Sequence, residues 1–270
     1  MKLLLPGALP FDRPAALAVL CLLGWLGLVT TSFADSVVEY GARVQKKMPH
    51  SRSDFTQGLE IRDGLLYQST GRYGESRLQV FDLASGKLLQ EKRLSPYYFA
   101  EGMTVLDERI LQLTWKEGTA LAWRRSDLAP LAQFPIKGEG WGLTNDGKQL
   151  IYSDGSDKLY FISPNDWTVT RTLRVTMKGR PQSYLNELEW TPDYLLANVW
   201  GSNRILMIDL ETGQVSGRID LRGLLPQDEI DASTDVLNGI ALDPDSGDLW
   251  VTGKNWPWLY QIELFEKNLR

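Results

Sequence analysis

Five short segments, FTQGLEI, FAEGMTV, EGWGLTN, LNELEWT and LNGIALD, align on Gly58, Gly102, Gly142, Glu187 and Gly239, and the residues just before these anchors are Gln57, Glu101, Trp141, Asn186 and Asn238. One carboxylate, three amides and an indole thus stand where strands usually carry small or apolar side chains. Thirteen residues after the anchors come Gly71, Trp115, Gly155, Trp200 and, past a two-residue insertion, Lys254. If the five segments are equivalent in space, two indoles and an ammonium share a rim with the single carboxylate. An apolar pocket with a few convergent polar groups is the usual form of a small-molecule site. The plainer alternative is a solvated channel mouth whose polar groups bond water. The available chemistry is narrow, because His50 is the one histidine of the chain. Zinc sites built on several imidazoles and HExxH helices are therefore excluded, and a Ser-His-Asp triad in the core would have no imidazole except His50, near the mature N-terminus. Any reaction here must run on carboxylate, amide, Lys, Tyr or Trp.

The elements that must position these residues repeat with them. The anchors are 44, 40, 45 and 52 residues apart. Each is followed by a second apolar stretch (LLYQST, ILQLTW, LIYSDG, LLANVW, DLWVTG) and a third (RLQVFDL, ALAWRRSDL, KLYFISP, RILMIDL, WLYQIEL). In four units a fourth stretch follows (KLLQEKRL, LAQFPI, TVTRTLRV, QVSGRIDL). These read as period-2 strands separated by D-G, S-G, T-G and N-D-G turns, and no segment sustains a helical period. The pattern predicts an all-β fold, a five-bladed β-propeller of four-stranded antiparallel blades. The fifth unit lacks a fourth strand, and the strand-like stretch from Val37 to Lys47 has no unit of its own. The N-terminal strand is therefore expected to complete the last blade and close the ring, which removes an open sheet edge. A β-sandwich is the alternative. The run Ser95-Pro96-Tyr97-Tyr98-Phe99 is expected to pack between blades, with a roof over the pocket as the other reading. The DPDSGD segment with Asp243, Asp245 and Asp248 reads as a hairpin turn, since it lacks the spacing of an EF-hand.

The chain is 43% apolar and 23% charged over 270 residues, which excludes disordered and fibrous classes. Lys2 and Arg13 precede an apolar run from Pro14 to Val29, and Ser32-Phe33-Ala34 supplies small residues where a signal peptidase cuts. Residues 1–34 are expected to be a Sec-type signal peptide and residues 35–270 a single domain, periplasmic or secreted. A retained N-terminal anchor is the alternative. Cys21 is the only cysteine, so the mature domain would hold no disulfide. Its net charge would be −6 with no basic stripe, which argues against nucleic acid as a partner.

The motifs FTQGLE, FAEGMT, LTWKEG, GEGWGLT, LNELEW, NVWGSNRI, LNGIA and VTGKNWP resemble the plant and bacterial type of glutaminyl-peptide cyclotransferase, from about Asp54 to Leu264. The resemblance implies a five-bladed propeller that converts the N-terminal glutamine of peptides, or free glutamine, to 5-oxoproline with release of ammonia. It implies no metal and no other cofactor. It places the pocket on Phe55, Gln57, Glu101, Trp115, Trp141, Asn186, Trp200 and Lys254. Glu101 would then take a proton from the α-amine and return it to the leaving ammonia. Lys254, Gln57 and Asn186 are the candidates to steady the oxyanion. Phe55, Trp115, Trp141 and Trp200 would exclude water and hold the glutamine chain folded. The expected partners are peptides or proteins with N-terminal glutamine and free glutamine, with no membrane contact after signal cleavage and a monomeric state. Two rivals remain: a non-catalytic periplasmic binding or scaffold propeller, and a metal-dependent lactonase-type propeller acting through a calcium ion. The second would need several carboxylates around the ion, whereas the inner ring offers one.

Overall fold

The computed structural model describes residues 37–267. The signal-peptide expectation and Cys21 lie outside these residues. Strand β1 (Val38–Pro49) leads into four consecutive antiparallel units. They are β2 (Thr56–Arg62), β3 (Leu65–Thr70), β4 (Arg77–Asp82) and β5 (Leu88–Arg93); β6 (Ala100–Leu106), β7 (Arg109–Thr114), β8 (Thr119–Arg124) and β9 (Pro130–Pro135); β10 (Leu143–Asn145), β11 (Leu150–Ser153), β12 (Lys158–Ile162) and β13 (Val169–Arg174); and, after a small hairpin of β14 (Thr176–Met177) and β15 (Arg180–Pro181), β16 (Leu185–Trp190), β17 (Leu195–Val199), β18 (Arg204–Ile208) and β19 (Val215–Asp220). A last set, β20 (Leu237–Leu242), β21 (Leu249–Gly253) and β22 (Trp258–Glu266), has three strands of its own.

The fourth place beside β22 is taken by β1, antiparallel from Tyr40 opposite Glu266 to Pro49 opposite Trp258. The N-terminal strand thus completes the last unit. It also pairs parallel with β19 over Val38–Gly41, so the last two units merge into one eight-stranded sheet. That second pairing was not expected from the sequence.

The first three strands of each unit are largely buried on both faces, and side-chain alternation decides which face a residue serves. On β17, Leu195 joins a core shared with Ile151 and Leu159 of the preceding unit, while Leu196 joins one shared with Ile240 and Val251 of the following unit. Three further cores lie between the first and second units (Tyr67, Leu78, Met103, Ile110), the second and third (Leu111, Ala120, Leu143, Tyr152), and the last and first (Leu59, Leu66, Trp250, Leu259). Two-sided burial explains why the middle strands read as nearly continuous apolar runs. The DPDSGD segment is the β20–β21 turn, where Asp243 accepts the backbone N–H of Asp245 and the Ser246 hydroxyl.

Candidate active site

Where the first strand of a unit pairs with the second, the register slips: between Thr56 and Gly58, Ala100 and Met103, Leu185 and Leu188, and Leu237 and Ile240. Gln57, Glu101, Asn186 and Asn238 all fall within these irregularities. A bulge re-aims a side chain out of the pleat, which is how the inner strands can present polar groups together. In the third unit β10 begins only at Leu143, so Trp141 and Gly142 precede the strand. Gly142 lacks a Cβ for a clear reason, since one built there would lie 2.0 Å from the Asn186 carbonyl oxygen.

The backbone repeats with equal regularity on the second ring. Gly71, Trp115, Trp200 and Lys254 each donate their N–H to the carbonyl of Phe55, Phe99, Tyr184 and Val236, at 2.8, 2.9, 2.8 and 2.9 Å. Each acceptor lies two residues before the polar residue of its own unit. The third unit departs from this pattern, and Glu139 occupies the corresponding place.

Glu101 is 5% exposed. Its Oε1 accepts the Gln57 amide Nε2–H at 2.9 Å, and Gln57 Oε1 accepts Asn238 Nδ2–H at 3.3 Å. Asn238 is anchored in turn, donating to the Thr56 carbonyl at 2.9 Å. Burial pushes the Glu101 carboxyl well above the usual range, the Lys254 charge pulls it back, and Glu139 and Glu117 push it further up. Lys254 is 4% exposed, and burial lowers its ammonium while Glu101 and Asp235 oppose the fall. Lys254 Nζ lies 4.7 Å from the Phe55 ring centroid, and Arg72 Cζ lies 4.6 Å from the same ring. Arg72 holds a φ of 94°, a strained conformation for a non-glycine residue, and its side chain donates to Asn255 Oδ1 at 2.9 Å. Asn186 is buried, and among the described residues its Oδ1 has no hydrogen-bond partner.

The aromatic groups form two arms, edge-on except for a tilted Tyr184–Trp200 pair. Phe99 stands against Phe55 at 6.2 Å, Tyr73 at 5.4 Å and Trp115 at 5.5 Å between ring centroids. Trp200, half exposed, meets Trp141 at 6.3 Å and Tyr184 at 6.0 Å. Gly155 lets the Trp141 indole lie over it, since a Cβ there would come within 2.7 Å of the ring. Phe99 therefore belongs to the aromatic wall, while Tyr98 packs into the core between the first two units and Tyr97 is exposed. Tyr73 donates its hydroxyl to Glu117 Oε1 at 2.7 Å, a bond that raises the phenol to about 12.

These contacts gather seven of the eight residues singled out in the sequence into three sets, Gln57–Glu101, Lys254–Phe55–Phe99–Trp115 and Trp141–Trp200. Asn186 joins through its backbone, whose carbonyl accepts the Ser153 hydroxyl at 2.8 Å beside Gly142. Tyr73, Glu117 and Glu139 were not anticipated. The signal for the last two lay inside LTWKEG and GEGWG, each a carboxylate within two residues of an indole. Glu187 proves structural in its contacts: Leu59 N–H and Ile240 N–H donate to its two oxygens at 3.2 and 2.9 Å.

A family model described as glutamine cyclotransferase matches residues 16–264. A glutaminyl-peptide cyclotransferase of Arabidopsis thaliana is 41% identical over 228 residues, covering 82% of this chain and 70% of the relative. A crystal structure of Myxococcus xanthus glutaminyl cyclase aligns with a TM-score of 0.80 at 34% identity, covering 86% of this chain and 100% of that one.

Proposed function

This chain belongs to the glutamine cyclotransferase family, and from that premise we propose that it cyclises the N-terminal glutamine of peptides, or free glutamine, to pyroglutamate with release of ammonia. The observation that carries the reading is the buried pair of Glu101 and its amide partner Gln57 within an aromatic wall. The ionised carboxylate accepts a proton from the substrate's α-amine as that nitrogen bonds to the side-chain carbonyl carbon. The tetrahedral intermediate collapses, the bond to the side-chain nitrogen breaks, and protonated Glu101 gives the proton to departing ammonia. Water is neither consumed nor formed. A carboxyl raised toward neutral pH suits both transfers. Gln57 fixes the carboxylate through one N–H, and the ammonium of Lys254 and the Nδ2–H of Asn186 are the donors offered to the oxyanion.

The same reading extends the fold to a five-bladed β-propeller. Its support is the cyclic succession of five cores, the last of them joining Trp250 to Leu59. We also infer a monomer acting outside the cytoplasm after removal of residues 1–34, on the sequence grounds above. The deciding assay is ammonia release, with the matching mass loss, from a Gln-peptide after exhaustive chelation. Retained turnover is expected, together with no reaction when the α-amine is acetylated. Loss on chelation with recovery on added zinc, or cyclisation of the acetylated peptide, would refute the carboxylate mechanism.

A further inference from the structure

We propose that Glu139 is a positioning residue for the cyclisation site, joining the two arms of the aromatic wall by accepting the indole N–H of both Trp115 and Trp141. The proposal rests on the cyclotransferase reading above. Trp115 follows β7 in the second unit and Trp141 precedes β10 in the third, yet both donate to Glu139 Oε2, at 2.8 and 3.0 Å. Among the described residues no ring contact links the two indoles, so this single oxygen is where the Phe55–Phe99–Trp115 arm meets the Trp141–Trp200 arm. Three other units carry Phe55, Phe99 and Tyr184 at the equivalent place, so a carboxylate here replaces a ring.

The backbone around Glu139 is held for the task. Gly140 donates its N–H to the Trp115 carbonyl at 2.9 Å, and a Cβ on Gly140 would lie 2.6 Å from the Thr114 carbonyl oxygen. The other carboxylate oxygen is 3.7 Å from Lys116 Nζ, which itself sits 3.8 Å from the Trp115 ring centroid. A half-exposed ion pair of this kind adds little by itself. Two indole donors from different units on one oxygen are a different matter, because they order side chains that must be rigid to orient a flexible substrate.

Glu139 also carries charge. Partial burial raises its carboxyl, but the N–H groups of Trp141 and Trp115 and the Lys116 charge outweigh this and hold it below the usual range. It is therefore ionised at neutral pH. The charged groups acting on Glu101 are Lys254 after β21, Glu139 before β10 and Glu117 after β7, with the neutral Gln57 amide on β2. Removing the Glu139 charge relieves a repulsion and lowers the Glu101 proton affinity.

Two substitutions separate position from charge. Glu139→Gln keeps an oxygen able to accept both N–H groups and loses the charge; Glu139→Ala loses both. In Glu139→Ala, kcat/KM should fall by up to about 10²-fold, mainly through KM. Glu139→Gln should recover most of that loss while its acid limb of kcat/KM against pH moves to lower pH. Indole resonances in proton–nitrogen spectra give a readout free of turnover: those of Trp115 and Trp141 should shift upfield in Glu139→Ala. A folded Glu139→Ala protein with wild-type KM and unmoved indole resonances overturns the proposal. Should Glu139→Ala fail to fold, Glu139→Gln decides: a neutral acceptor makes weaker bonds, so both indole resonances should still move upfield, and unmoved resonances overturn the proposal. Absence of turnover in the wild-type protein would defeat the cyclotransferase reading instead, and the spectra would still test whether Glu139 holds the indoles.

Discussion

Four buried carboxylates line the inner strands, and their partners separate them. Glu60 accepts the Val105 N–H, Glu187 those of Leu59 and Ile240, and Glu189 that of Leu242, all backbone groups of neighbouring strands. Among the described residues the Glu101 carboxylate accepts only a side-chain amide. Glu101→Gln should therefore lower kcat by ~10²–10⁴ in steady-state assays on a Gln-peptide, with the circular dichroism spectrum and Tm unchanged. Glu187→Gln should do the reverse, because one of two backbone donors loses its acceptor. Its expected signature is a loss of ~1–3 kcal/mol in urea unfolding, with kcat reduced far less than in Glu101→Gln. The pH profile of kcat/KM follows from the same surroundings. Raised Glu101 places the acid limb above the ordinary carboxylate range, since the proposed base must be ionised. Lowered Lys254 draws the alkaline limb below the ordinary lysine range, since the proposed oxyanion donor must carry its proton. Gln57, Glu101, Trp141 and Asn186 were legible in the sequence because each replaces an expected apolar residue at a repeated place. Glu139 was not, because a carboxylate flanked by glycines reads as a solvated turn until the two indoles are seen to converge on it.

At the level of the elements, the site is a product of irregular pairing. Four register slips on the inner strands fall on Gln57, Glu101, Asn186 and Asn238, and glycine anchors let those strands approach one another closely. Gly142→Ala would drive a methyl group into the Asn186 carbonyl. The expected cost is ~1–3 kcal/mol, read as a lower urea midpoint, with a fall in kcat/KM as Asn186 and Trp141 shift. Strand number, turn positions and the partner of β1 in the last unit were readable, since D-G and T-G turns and period-2 stretches are local signals. The slips, the β14–β15 hairpin and the parallel seam of β1 with β19 were not. They depend on where edges meet in space, which side-chain periodicity does not encode.

For the whole molecule, buried carboxylates make stability depend on pH in an unusual sense. Burial raises Glu60, Glu101, Glu187 and Glu189, so between the unfolded carboxylate range and their raised values the folded chain holds more protons than the unfolded one. Stability should then rise as pH falls through their raised values toward the ordinary carboxylate range. Below that, Asp220 and Asp231 reverse the trend, because their hydrogen bonds to Arg222 and Ser233 depress them and are lost on protonation. Glu189→Gln should flatten the alkaline side of a Tm–pH curve, where ~1 kcal/mol corresponds to roughly 2–4 °C. The seam at β1 has a temporal consequence as well. Arg43 and Glu263, paired across it, are 220 positions apart, so β1 leaves the ribosome with neither of its neighbours yet made. Each doubling of the intervening chain adds only ~0.6 kcal/mol of closure entropy, so the delay is one of sequence of events more than of equilibrium. The first strand waits with both edges open until β19 is made, and with one edge open until β22 follows. The latch of this fold is thus cast before either strand it fastens, and its exposure to misassembly falls in two steps.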